Sequence, residues 1–137
     1  MEWYLDKYKI TDDPAQIDYP AVHRLLTGSY WAAGRSREKI EASCRNSLCF
    51  CLYDQDRQIG FARVVTDYAV FAWICDVLID PEFRGRGLGK WLMEKVLEHP
   101  VLQNTAGQLL ATRDAHGLYE KYGFTKAECM RRKTPEP

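Results

Sequence analysis

The chain has 137 residues, 19 basic and 19 acidic side chains with a formal net charge of zero, and 46% hydrophobic against 28% charged residues. This length predicts one domain, 1–137, with a single core and one site. The balanced charge argues against a nonspecific nucleic-acid binder, no apolar run reaches the length of a membrane span, and the mixed, charged opening Met1 to Asp13 is not expected to be a signal peptide.

Trp3 to Asp12 alternates partly between aromatic and charged residues and is read as a first strand, broken by Asp13-Pro14. Tyr19 to Thr27 places Val22, Leu25 and Leu26 at helical spacing before Gly28. An aromatic loop, Ser29 to Arg35, follows. Ser36 then serves as N-cap of a second helix reaching about Ser43. Ser47 to Tyr53 and Gln58 to Thr66, joined by the polar turn Asp54 to Arg57, predict an antiparallel hairpin. Within it Cys49 and Cys51 face one way. With Cys44, Cys75 and Cys129 they make five cysteines without metal-ligand spacing, so no metal is expected and a reducing, cytoplasmic setting is. Cys75 is either a nucleophile or a small core residue.

Ala69 to Ile79 reads as a central strand and Leu88 to His99 as a helix with Leu88, Trp91, Leu92 and Val96 on one face, stopped by Pro100. Gln108 to Thr112 is a short buried strand. Ala115 to Tyr122 is a last helix ended by Gly123, Phe124 to Met130 a closing strand, and residues 131–137 a frayed tail.

The chain is organised around Asp80 to Lys90, between the central strand and its helix. Gly85, Gly87 and Gly89 leave the backbone open at the helix start, where free N–H groups and the helix dipole favour an anion. Arg84, Arg86 and Lys90 add three cations, so a pyrophosphate is the expected guest. A Walker A loop fails on spacing and on Trp91, which stands where the magnesium-binding hydroxyl belongs. The dinucleotide fingerprint fails at Lys90. The pattern that fits is [RQ]-x-x-G-x-[GA], here Arg84-Gly85-Arg86-Gly87-Leu88-Gly89. A second block, Asp114 to Phe124, is similar to N-x-x-A-x-x-[LF]-Y-E-K-x-G-F, with Thr112 where the asparagine belongs. Together these resemble the GNAT acyltransferase superfamily over about Leu78 to Phe124.

The resemblance implies an α/β fold with a mixed, mostly antiparallel sheet splayed between two central strands and helices on both faces. It implies acetyl transfer from acetyl-CoA to a primary amine of a small molecule or peptide, by direct attack in a ternary complex. The pantetheine arm would pair with backbone at Leu78 and Ile79, the residues from Arg84 to Lys90 would hold the pyrophosphate, and Thr112 would partly replace the asparagine contact. Tyr119 would protonate the departing thiolate, unless it is simply a half-buried helical tyrosine. A phenol with a pKa of about 10 is loaded at neutral pH, and His116 is its rival. Asp76, alone among apolar neighbours, is either the base that takes the amine proton or a carboxylate paired with an arginine such as Arg63. Tyr30, Trp31 and Arg35 either line the acceptor pocket, suiting a small amine with an apolar or carboxylate-bearing body, or close the core. A noncatalytic acyl-CoA-binding module is the alternative function. Homodimerisation stays open, and neither nucleic acid nor membrane is expected as a partner.

Overall fold

The stretch from Trp3 to Asp12 holds two strands rather than one. In the computed structural model, which describes residues 1–135, β1 (Glu2–Leu5) and β2 (Tyr8–Thr11) form a hairpin reversed at Asp6, whose φ is 53°. Aspartate is among the few residues that enter the left-handed region readily, so a two-residue turn at Asp6-Lys7 is open to it. The sheet continues in chain order through β3 (Leu48–Asp54), β4 (Arg57–Thr66), β5 (Phe71–Ile79) and β6 (Gly107–Leu110). All neighbours are antiparallel except β5 and β6, which run parallel.

Strand alternation builds a core on each face. Phe50 and Leu52 of β3 pack with the helix after the glycine loop, α3 (Leu88–Glu98), whose Leu88, Trp91, Leu92 and Val96 are all buried. Cys49 and Cys51 point the other way with α1 (Tyr19–Thr27) and α2 (Arg37–Arg45), against Val22, Leu26 and Ile40. The α1 start is capped by Asp18, which accepts from the Ala21 N–H, and the Asp18 N–H donates in turn to buried Gln58 of β4. Ser36 caps α2 as expected, and the helix runs two residues past Ser43.

Pro100 ends α3 but also opens a short α4 (Pro100–Gln103), because proline suits the first turn of a helix. The last helix, α5, covers only His116–Glu120, and Gly123 takes the expected left-handed φ of 89°. The closing strand expected over Phe124 to Met130 is absent: beyond half-buried Phe124 these residues are exposed and carry no regular structure. Thr125 to Cys129 offers no large apolar side chain at alternate positions, so a strand there would have no face to bury. The expected frayed tail is exposed and irregular over 131–135, and its last two residues lie outside the described ones.

Two irregularities place the site. β5 pairs with β6 only from Phe71 to Ile74, and from Cys75 to Ile79 the two strands part. On its other side β5 carries a bulge, since Phe61 pairs with Leu78 but Arg63 with Cys75. Asp76 sits in that bulge with φ 55°. Before it, Ala72 and Ile74 face α3; after it, Val77 and Ile79 do. Regular alternation would aim Asp76 into that apolar core, and the extra residue turns it to the opposite face.

Candidate active site

Where β5 and β6 part, a cleft of about 800 Å³ opens between the glycine loop, the end of β5, the α1 end and α5. Its floor is the start of α3. Gly87 is the N-cap, with φ 77° and no capping side chain, so the first-turn N–H groups have no partner from a cap. Gly85 shares the left-handed backbone at φ 80°, and a Cβ on either glycine would meet nothing within 4 Å. Backbone conformation and an open approach, rather than crowding inside the protein, explain the glycines here. Asp80 shapes the entry by accepting from the Glu82 N–H and pairing with Arg57 at 3.2 Å.

The three cations of the loop divide. Arg84 and Lys90 line the cleft. Arg86 does not: its guanidinium stacks 4.9 Å over Phe83 and donates to the Tyr8 hydroxyl at 3.2 Å. Arg24, from α1 across the cleft, takes the third position. Sequence reasoning missed it because α1 joins the loop only through the tertiary fold. Leu78, Ile79, Gly85, Leu88 and Gly89 all line the cleft.

Thr112 lies elsewhere. Its hydroxyl accepts from the Ala115 N–H at 3.0 Å, which shapes the approach to α5, and it lines a second chamber rather than the cleft. That chamber, of about 570 Å³, also touches Tyr30, Trp31, Arg35 and Tyr119. Tyr30 and Trp31 are 54% and 44% exposed and meet edge to face at 5.1 Å, so they form walls and do not close the core. Arg113 lies 3.8 Å over the Tyr30 ring, a contact nothing in the sequence announced.

Tyr119, on α5, borders both spaces. It is half-buried, its ring edge-on to Phe124 at 6.1 Å. Burial, helped by the nearby Tyr30 and Asp114, pushes its phenol above the ordinary range, so it stays protonated at neutral pH. His116 faces a separate groove beyond β6, which Tyr119 also borders, and lines neither the cleft nor the chamber.

Asp76 takes the paired alternative. Its side chain is 2% exposed, and it accepts from Arg35 at 2.8 Å, from Arg63 at 2.9 Å and from the Trp31 indole at 2.9 Å. Burial alone would raise its pKa. The Arg63 hydrogen bond and the charges of both arginines outweigh that and hold it below the ordinary carboxylate range. A carboxylate so stabilised is a poor base, and it instead ties the aromatic loop to the sheet. Cys75 is pushed the opposite way, to about 11, chiefly by burial, and donates to the Arg63 carbonyl, which suits a core residue better than a nucleophile. Among the described residues no group of three or more His, Cys, Asp or Glu could hold a metal ion, and no helix is long and apolar enough to cross a membrane.

Comparison with known proteins agrees with this architecture. Residues 45–126 match the model of the acetyltransferase (GNAT) domain. A solved structure from Xanthomonas campestris pv. campestris, assigned to the GNAT family, is 41% identical and superposes with a TM-score of 0.88 over 93% of this chain and 94% of that one. A GNAT acetyltransferase from Elizabethkingia anophelis with acetyl-CoA bound shares the fold at 19% identity, with a TM-score of 0.70 over 90% of this chain and 80% of that one. A histone acetyltransferase, TAP1, of Glycine max is 41% identical over 52% of this chain. The chain spans 31% of that protein's length and 64% of that of a Gibberella zeae relative. The matched region runs from the end of α2 to just beyond Gly123 and so contains the splay, the glycine loop and Tyr119. The chain belongs to the GNAT acetyltransferase family.

Proposed function

We propose that the protein transfers an acetyl group from acetyl-CoA to a primary amine of a small molecule or peptide, by direct attack while both are bound. The observation that carries this is a pair of cavities that share Tyr30, Trp31, Val77, Asp114 and Tyr119 in their walls: one has an uncapped helix start with flanking cations, and the other is the aromatic chamber. The cleft fits the coenzyme chemically. Leu88, Gly89 and Lys90 can offer N–H groups to the pyrophosphate, and Arg24, Arg84 and Lys90 its counter-charge. The edge of β5 over Val77 to Ile79, where β6 has parted from it, offers backbone partners to the pantetheine arm. The E. anophelis protein binds acetyl-CoA on the same fold.

Acetyl-CoA supplies the activated carbonyl. The chamber holds the acceptor so that its neutral amine nitrogen forms the new bond to that carbon as the carbon–sulfur bond breaks. The electron pair leaves on sulfur, and Tyr119 gives it a proton. The proton lost from the nitrogen passes to solvent, which also restores the phenol. Asp76 acts as a positioning residue that fixes Trp31 and Arg35 rather than as the base.

The test is thiol release from acetyl-CoA in the presence of an amine panel, with calorimetric titration of the coenzyme alone. Coenzyme binding with amine-dependent thiol release is the expected result. Absence of binding removes the proposal.

A further inference from the structure

The acceptor chamber carries more positive charge than acetyl transfer needs. Four arginines line it, Arg35, Arg63, Arg113 and Arg131, against two acids, Asp76 and Asp114, and no lysine or glutamate joins them. Asp76 offers nothing to a ligand. Both its oxygens are already bonded, and it leaves two guanidinium charges neutralised by one carboxylate. Arg113 forms no ion pair with the described residues. Stacked on Tyr30 at 3.8 Å, it keeps its in-plane N–H fork free, the geometry that suits bidentate bonds to a carboxylate or phosphate.

Such a chamber treats amines unequally. A polyamine or a lysine in a basic peptide brings further positive charge into a space that already has a surplus, so it is repelled. An amine that carries its own anion enters with that charge matched, while the surrounding guanidiniums lower the pKa of its ammonium end and favour the neutral nucleophile. The volume is that of a small-molecule site. We propose that the acceptor is a small amine bearing an anionic group, a carboxylate or a phosphate, and that Arg113 reads the anion. This rests on the acetyl-transfer reading above.

The experiment compares matched acceptors in the thiol-release assay: L-phenylalanine with L-phenylalaninamide, 2-aminoethyl phosphate with ethanolamine, and spermidine with a lysine-bearing basic peptide as cationic controls. L-Phenylalaninamide is a weaker base than L-phenylalanine, so a preference for the acid cannot arise from easier deprotonation. At least one anionic acceptor should exceed its neutral partner in kcat/KM by about tenfold or more, the size of one charge-assisted bond. The two pairs tell carboxylate from phosphate. Arg113→Gln should narrow that ratio by about tenfold, mainly through KM for the anionic member. Equal rates within both pairs, better turnover of spermidine or the basic peptide, an unchanged ratio in Arg113→Gln, or no transfer to any of these amines by a protein that binds acetyl-CoA each overturn the inference and leave the coenzyme site standing. Failure to bind acetyl-CoA removes the acetyl-transfer reading and this inference with it.

Discussion

Arg35 Nη1 and Arg63 Nε donate to the same oxygen, Oδ2 of Asp76, one from the loop ahead of α2 and the other from the middle of β4. The loop that carries Tyr30 and Trp31 is thereby fixed to the sheet through a buried charge. Asp76→Asn keeps the shape and removes that charge, leaving two guanidiniums without compensation, at a cost of about 3 kcal/mol or more. The folded pKa of Asp76 is depressed, so the pairing stabilises fully above about pH 4, where an unfolded aspartate is ionised, and fades as pH falls through the folded value. Urea midpoints should therefore differ between variant and wild type at pH 7 and converge in acid. A positioning role further requires a raised acceptor KM with the pH–rate profile unmoved; a lost acid limb would return the base role to Asp76.

Gly87→Glu places a bulky anion at the uncapped start of α3 and forces a side chain into left-handed backbone. Acetyl-CoA affinity measured by calorimetry should fall at least about tenfold, since charge-assisted bonds to the pyrophosphate contribute roughly 1.5 to 3 kcal/mol each. Unchanged affinity in a folded variant would place the coenzyme elsewhere.

The division of the loop cations gives a paired test. Arg24→Ala should weaken acetyl-CoA binding and flatten its dependence on salt, whereas Arg86→Ala should leave affinity near wild type and lower the melting temperature through loss of the Phe83 and Tyr8 contacts. Equal losses of affinity from both would contradict the engagement of Arg86 by Phe83 and Tyr8.

Tyr119→Phe removes one hydroxyl and keeps the ring against Phe124. General acid catalysis contributes about a hundredfold to ten-thousandfold, and the low end is expected because a thiolate leaves readily. Turnover should drop while coenzyme affinity and melting temperature hold. A stability loss with undiminished turnover would make Tyr119 a packing residue.

Gly60→Ala probes the joint between β4 and the end of β5. A Cβ there would stand 2.9 Å from Ile79 Cδ1 and 3.0 Å from Leu52 Cβ. The Ile79 tip can rotate away, but the Leu52 Cβ is fixed to its strand, so the expected cost is about 1 to 3 kcal/mol. Because Ile79 lines the cleft, acetyl-CoA affinity should fall as well.

Local chemistry made much of this legible. The glycine loop, the amphipathic α1 and α3, and the cap at Ser36 depend on nearest neighbours in the chain, and each lies where residue type and spacing put it. Some departures depend on partners distant in sequence and others on local contacts that the motif does not show. Arg86 and Arg84 cannot be told apart until Phe83 and Tyr8 are in place, and Arg24 is an ordinary helical arginine until α1 packs beside the loop. Thr112 matches a coenzyme-binding position in pattern, yet its hydroxyl serves the Ala115 N–H. The strand expected over Phe124 to Met130 lacks the apolar alternation that would give it a face to bury. Asp76 is the sharpest case, because strand parity would aim it the wrong way and only the bulge turns it to Arg35.

The bulge also divides β5 into two halves with separate duties. Trp73 to Asp76 line the aromatic chamber, Leu78 and Ile79 line the cleft at the glycine loop, and Val77 alone of the strand belongs to both. If the proposed function holds, substitutions in the first half would change which amine is accepted while the second half kept the same donor. Under the proposed function the strand would work as a socket with an interchangeable end, in which Trp73, unlike buried Ile74 and paired Asp76, is the position open to change.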